Sequence, residues 1–282
     1  HKALALLSAD NSYARARTTL FLGNAYVYTD RVEDSILAFA EASRLAQLGG
    51  DIHTALHAIC NQGIMLGTQG QLHEAAHTFR RGLLLATQHQ AEHLYMANAL
   101  RFNIGLLLFE WNQMAAAKEE ILAAIASYMR SIEFHSIMLF RCYLALILQI
   151  EGDQSGAEQA LEEGLNVGRA HHLPKLRMMD VQAFRVRLWA MQGNLAAMTH
   201  WLAHCGMAAE DELSLAQERA YTGFALALLT TGAADQATHL LTRLLTMAEV
   251  AGRKRSQIEL GVLRALALQA QGKQPAAQQQ LM

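Results

Sequence analysis

One pattern recurs along the whole sequence and restricts the folds open to it. A short turn followed by a small residue reads DRVEDS from Asp30, GQLHEA from Gly70, NQMAAA from Asn112 and GDQSGA from Gly152. It continues as GNLAAM from Gly193, GAADQA from Gly232 and GKQPAA from Gly272. The steps between the first residues are 40, 42, 40, 41, 39 and 40. Seven units at nearly constant spacing specify an array of like hairpins. A single hairpin cannot bury its apolar face, so neighbours must stack into a continuous core.

Each turn separates two helical patterns. After Gly70, Leu72, Ala75, Ala76, Phe79, Leu83 and Ala86 follow the i, i+3, i+4, i+7 rule of a helix with one apolar face. The glycine suits the left-handed position that ends the preceding helix. Proline, which interrupts helices, occurs only as Pro174 and Pro275. Pro275 falls in the first turn of a second helix, where its missing N–H costs nothing. The small residue five positions after the turn (Ala75, Ala117, Ala157, Ala237, Ala277) is expected to let the paired helices approach closely, and Phe39 and Phe79 to fill one site a repeat apart. Residues 2–7 are expected to supply the last helix of a preceding repeat.

At Leu22 to Tyr26 the chain reads LGNAY, and the next hairpin has EAA. These resemble the tetratricopeptide signature, whose period is 34 residues. A period near 40 requires longer helices. A HEAT-type array also fits that period, but the LGNAY run and the Gly-to-Ala spacing favour the tetratricopeptide reading. The expected fold is all-α, a right-handed superhelix of about seven tetratricopeptide-like hairpins. Residues 1–205 would hold five of them, 206–213 an acidic joint (MAAEDEL from Met207), and 214–282 two more, the last truncated.

Composition excludes several classes. Hydrophobic residues make up 52% and charged residues 17%, which argues against disorder. The formal charge is −2, whereas a fragment that gripped phosphates of nucleic acid would be clearly basic. Cys60, Cys142 and Cys205 are far apart and form no CxxC, which argues against a disulfide framework or a thiolate zinc site and for a reducing, cytoplasmic setting. The longest apolar stretch, Ile137 to Ile150, is interrupted by Arg141 and Gln149 and is too short for a bilayer span, so no membrane contact is expected. His1 in place of a start methionine, and Met282 inside a helical pattern, suggest a piece of a larger protein.

The C-terminal part carries a more specific likeness. Glu218-Arg219 is followed by Tyr221-Thr222, then by the hairpin end Ala248-Glu249-Val250-Ala251-Gly252-Arg253, then by Ile258-Glu259 and ALALQAQG from Ala265. In these features the chain resembles the helical-repeat region of large ATP-binding regulators of the LuxR family, the MalT type. The rest of the chain resembles that region more loosely. The resemblance implies a STAND-type NTPase before the repeats and a LuxR-type helix-turn-helix after them. It further implies that the repeats bind a small inducer, such as a sugar, and self-associate. ATP would then belong to the preceding domain. The sequence has no GxxxxGK[ST], so no cofactor is expected here, and neither nucleotide nor DNA binding is assigned to these residues.

His73-Glu74-Ala75-Ala76-His77 matches the H-E-x-x-H zinc pattern. Ala75 is the repeat's packing alanine, which turns His73 and His77 toward the outer face, and a catalytic zinc also needs a third ligand. The pairs His53/His57, His89/His93 and His200/His204, the last beside Cys205, have helical spacing that long histidine-bearing helices produce by chance. Glu119-Glu120 and Glu162-Glu163 are adjacent carboxylates that point to different helix faces. No metal site, nucleophile or acid–base pair is expected, and the chain is not read as an enzyme.

In tetratricopeptide arrays the first helix of each hairpin lines the inner groove. That register places Arg17, Phe21, Asn24 and Tyr28 there, followed by His57 and Asn61, Phe102 and Asn103, Tyr143 and Gln149. Asp180 and Arg187, Arg219 and Glu259 complete the row. Aromatic rings for stacking, with amides and guanidiniums for directed hydrogen bonds, suit a sugar-like or acidic small ligand. Two functions follow. One is an effector-sensing and self-association domain of a transcriptional regulator. The other is a scaffold that holds a peptide or partner helix in the groove.

Overall fold

The computed structural model describes residues 2–29, 31–128 and 134–281. The first turn's Asp30 and the terminal His1 and Met282 lie outside them. Among the described residues every regular element is a helix. A short leading helix, α1 (Lys2–Leu6), buries no residue. The pairs that follow are α2 (Ser12–Tyr28) with α3 (Val32–Leu48), α4 (Ile52–Thr68) with α5 (Leu72–Gln88), and α6 (Tyr95–Glu110) with α7 (Met114–Tyr128). Next come α8 (Phe134–Ile150) with α9 (Gln154–Ala170), and α10 (Lys175–Gln192) with α11 (Leu195–His204). The last pairs are α12 (Glu218–Thr230) with α13 (Ala234–Val250), and α14 (Lys254–Ala270) with α15 (Gln274–Gln280).

The period follows from helix length. Both α4 and α5 have 17 residues, with three-residue turns after α3 and α4. The turns close the same way each time. After α4, Gly70 takes φ 79°, its N–H donates to Gly67 O, and the N–H of Gln71 donates to Leu66 O. This pair of hydrogen bonds satisfies carbonyls that a helix end leaves orphaned. It recurs after α6, where Asn112 is left-handed, and after α8, α10, α12 and α14, where the residue is glycine. Asp51, Asp153 and Asn194 cap the helices that begin after them by accepting from Thr54, Gly156 and Ala197.

The packing residues sit where their spacing placed them. Ala75, Ala117, Ala157 and Ala237 are fully buried and Ala277 nearly so. In the first two hairpins the first helix carries a glycine against the aromatic ring of the second. A Cβ at Gly23 would stand 2.5 Å from the Phe39 ring, and one at Gly63 would be closer still to Phe79. Phe39 and Phe79 therefore do occupy one site a repeat apart.

The chain forms two compact units, His1–Ile132 and Glu133–Met282. In the first, α2 touches α4 and α4 touches α6, and the core runs from Ala16 to Leu107 through Leu56, Ile59, Phe79 and Leu100. In the second, α8, α10, α12 and α14 touch in succession, with a core of Tyr221, Phe224, Leu240, Leu241 and Leu244. The compact units thus divide at 132/133, whereas the sequence suggests a joint at 206–213. That segment follows the 10-residue α11 and lies within the second unit. Ala209 is buried in its core, the Asp211 carboxylate accepts from Ala208 N and Tyr221 Oη (2.8 Å each), and the Arg243 guanidinium donates to the carbonyls of Ala209 and Asp211. An acidic loop without helical periodicity looks like a linker in sequence; here its few apolar and polar anchors dock it.

Candidate functional site

The expected groove residues fall on the first helices, and the two units use them differently. In the first unit the amides bond to one another and to their own framework. Asn61 Nδ2 donates to Asn24 Oδ1 (3.1 Å), joining α4 to α2. Asn103 donates to Ala99 O (2.7 Å) and, more weakly, to Cys60 Sγ (3.7 Å). Phe102 is buried. His57 is half-buried, and burial, then the neighbouring His53, pushes its imidazole below the ordinary value. Arg17 donates to Tyr13 Oη (2.7 Å) and lies over that ring, while Phe21 and Tyr28 are 66% and 86% exposed. Those last two offer aromatic surface; the amides serve largely as ties between repeats.

The second unit brings its residues together. Tyr143 on α8 and Phe184 on α10 meet edge to face at 4.9 Å, both buried. The Arg219 guanidinium on α12 lies 5.5 Å from the Phe184 ring centre. Arg187 on α10 pairs with Glu259 on α14. Gln149 accepts from Gln192 (2.9 Å) at the far end of the same helices.

Three residues that the register did not select join them. His135, Arg177 and Arg255 stand, with Arg219, in the first turns of α8, α10, α14 and α12. Arg177 Nη1 is 3.8 Å from the carboxylate of buried Asp180. Aligned by helix start, His135, Arg219 and Arg255 are second residues and Arg177 is a third; the second residues in the first unit are Tyr13, His53 and Met96.

The electrostatics follow from that crowding. Burial would raise the Tyr143 hydroxyl, but the charges of Arg219, Arg255 and Arg187, with a hydrogen bond from Arg255, together bring it below the ordinary tyrosine value. Burial, then Arg177 and Arg219, pushes His135 down to about 4, so its ring is neutral at physiological pH. Its Nε2 is buried without a partner among the described residues. Asp180 is raised, because burial outweighs Arg219 and Arg177.

The histidine motifs are elsewhere. His73, Glu74 and His77 are exposed while Ala75 and Ala76 are buried, and His73 stacks on Trp111 at 5.2 Å. His200 and His204 are also exposed, beside a cleft of about 400 Å³ that Trp189, Trp201 and Arg185 help to line. No group of three or more metal-ligating side chains occurs among the described residues. Burial pushes the Cys60 and Cys142 thiols up to about 12, far from the thiolate form a nucleophile needs. No helix is long and apolar enough to cross a membrane among the described residues.

The comparisons agree with this architecture. Two solved structures share the fold at 14% identity. A tetratricopeptide repeat protein from Parabacteroides merdae gives a TM-score of 0.51 over 94% of this chain and 90% of its own. The Rap conjugation gene regulator of plasmid pLS20, solved in complex with a Phr peptide, gives 0.57 over 100% and 68%. The HTH-type transcriptional regulator MalT of Yersinia enterocolitica is 26% identical over 206 residues, and that of Serratia proteamaculans 26% over 207. Each alignment covers 71% of this chain but only 22% of the relative, so the chain spans about a fifth of those proteins. The family model of the MalT-like TPR region matches residues 1–282 from end to end, and the chain belongs to that family of regulatory helical repeats.

Proposed function

We propose that this chain is the effector-sensing and self-association module of a transcriptional regulator, cytoplasmic, whose ATP-binding and DNA-binding domains are separate from these repeats. The family match over the whole chain carries the reading. The second unit's polar cluster supports it, because buried or half-buried titratable groups on four adjacent first helices are poorly explained by packing alone. A small ligand held there would touch α8, α10, α12 and α14 at once and so bias their packing, which is the differential affinity a switch requires. The repeats themselves would bind and relay, without catalysis and without a cofactor of their own.

Thermal stability measured against a panel of sugars, sugar phosphates and carboxylic acids tests the reading, since a ligand of the folded state raises the melting point by mass action. A specific hit that also changes self-association of the protein joined to its flanking domains is the expected outcome. A protein whose flanking sequence encodes neither an NTPase nor a helix-turn-helix would overturn it.

A second reading is a groove for a peptide or partner helix. It is favoured by the exposed Phe21 and Tyr28 in the first unit, and by the fold likeness to a regulator solved with a bound peptide. Pull-down of a partner with defined affinity, without small-molecule stabilisation, separates it from the first.

A further inference from the structure

The column of cations in the second unit is costly to the helices that carry it. The N-terminal turn is the positive end of a helix dipole and favours anions; a cation there is unfavourable. Arg177, Arg219 and Arg255 nonetheless occupy the first turns of α10, α12 and α14. The guanidiniums of Arg219, Arg255 and Arg187 all act on Tyr143. The carboxylates here are already paired: Asp180 with Arg177, Glu259 with Arg187, and Glu218, which precedes Arg219, with Arg253. Arg219 forms no hydrogen bond or salt bridge among the described residues; its guanidinium rests on Phe184. A cation held over a ring face at this distance keeps its N–H donors available to a further partner.

We infer that this cluster, centred on Arg219, binds a small molecule through a carboxylate or phosphate group. Guanidinium forks match either oxyanion with paired hydrogen bonds. The surrounding helix N-termini add to the same positive field. The buried Nε2 of His135 has no partner among the described residues, and its ring feels the charges of Arg177 and Arg219; it is suited to a neutral polar atom of the ligand. The inference rests on the effector-sensing reading and narrows it to an anionic effector class.

Calorimetric titration of the chain with citrate, inorganic phosphate, glucose 6-phosphate and glucose at constant ionic strength tests it. Citrate reports the carboxylate arm, and phosphate and glucose 6-phosphate the phosphate arm. At least one anion should bind, and glucose should not. R219Q should weaken that binding at least tenfold, and R219K should recover only part of it, because an ammonium lacks the fork. E259Q should strengthen it several-fold by releasing Arg187, a gain that a folding defect cannot mimic. Binding of no anion, equal binding by R219Q, or weaker binding by E259Q overturns the inference. If glucose or another neutral ligand binds and is indifferent to R219Q, the anionic assignment fails while the sensing reading stands.

Discussion

At the residue scale, one carboxylate reports on how a loop becomes structure. Asp211 lies in the acidic stretch that reads as a linker, yet the Ala208 N–H and then the Tyr221 hydroxyl hold its carboxyl below the ordinary value. Tyr221 is raised to about 12 by burial and by the bond to Asp211, so it remains a neutral donor throughout. A carboxyl whose folded value is depressed stabilises the fold above its unfolded value, about 4, and the contribution disappears as pH falls through the folded value. The stability of Asp211→Asn should therefore fall less on acidification from neutral pH than that of the parent, measured by urea midpoints across the acid range. Parallel acid limbs would show that this contact does not link the loop to folding.

At the scale of helix pairs, the close approach is a matter of volume. Gly63 faces Phe79, and the equivalent positions two repeats on pair Ala145 with Leu161, both fully buried. A larger residue on the first helix thus accompanies a smaller one on the second. Gly63→Ala should overpack the site and cost about 1–3 kcal/mol. Phe79→Leu alone leaves a void and is also destabilising. Combined, they rebuild the alanine–leucine pairing, and the double variant should lose less than the sum, with a coupling of about 0.5–3 kcal/mol. Denaturant unfolding of the four proteins measures it; strict additivity would mean the two positions do not share one site.

At the scale of the whole molecule, each compact unit has a core of its own. The second contains the clusters around Leu240 and Leu244 and around Val186 and Met198, and every residue of the cationic column. Stability in a repeat array is set by neighbouring interfaces rather than by one global core. Residues 133–282 expressed alone should therefore keep a helical spectrum and a cooperative thermal transition. A broad, non-cooperative melt would show that the unit depends on residues outside it.

Much of the array was legible in the sequence, because the features that encode it are local. The left-handed turn residue, the alanine five positions on and the apolar helix face each act over a few residues, and repetition along the chain makes them legible. The candidate site was legible only in part. Phase within the repeat selected Tyr143, Arg187, Arg219 and Glu259 on the first helices, and it selected Asn24, Asn61 and Asn103 by the same logic. Three-dimensional packing separates them: those amides bond to one another or to their own helix, whereas Arg219 lies over Phe184 and makes no hydrogen bond among the described residues. It also draws in His135, Arg177 and Arg255, whose shared position at the helix starts has no apolar pattern to mark it. The sequence by itself determined that the chain is a stack of helical hairpins with long helices, since short-range propensity and spacing suffice for that. Only the tertiary structure decided which of these side chains are ties and which form a charged cluster, and how the acidic segment at 207–213 docks on its neighbours. Those outcomes depend on desolvation and on partners tens of residues away, and no local pattern carries them.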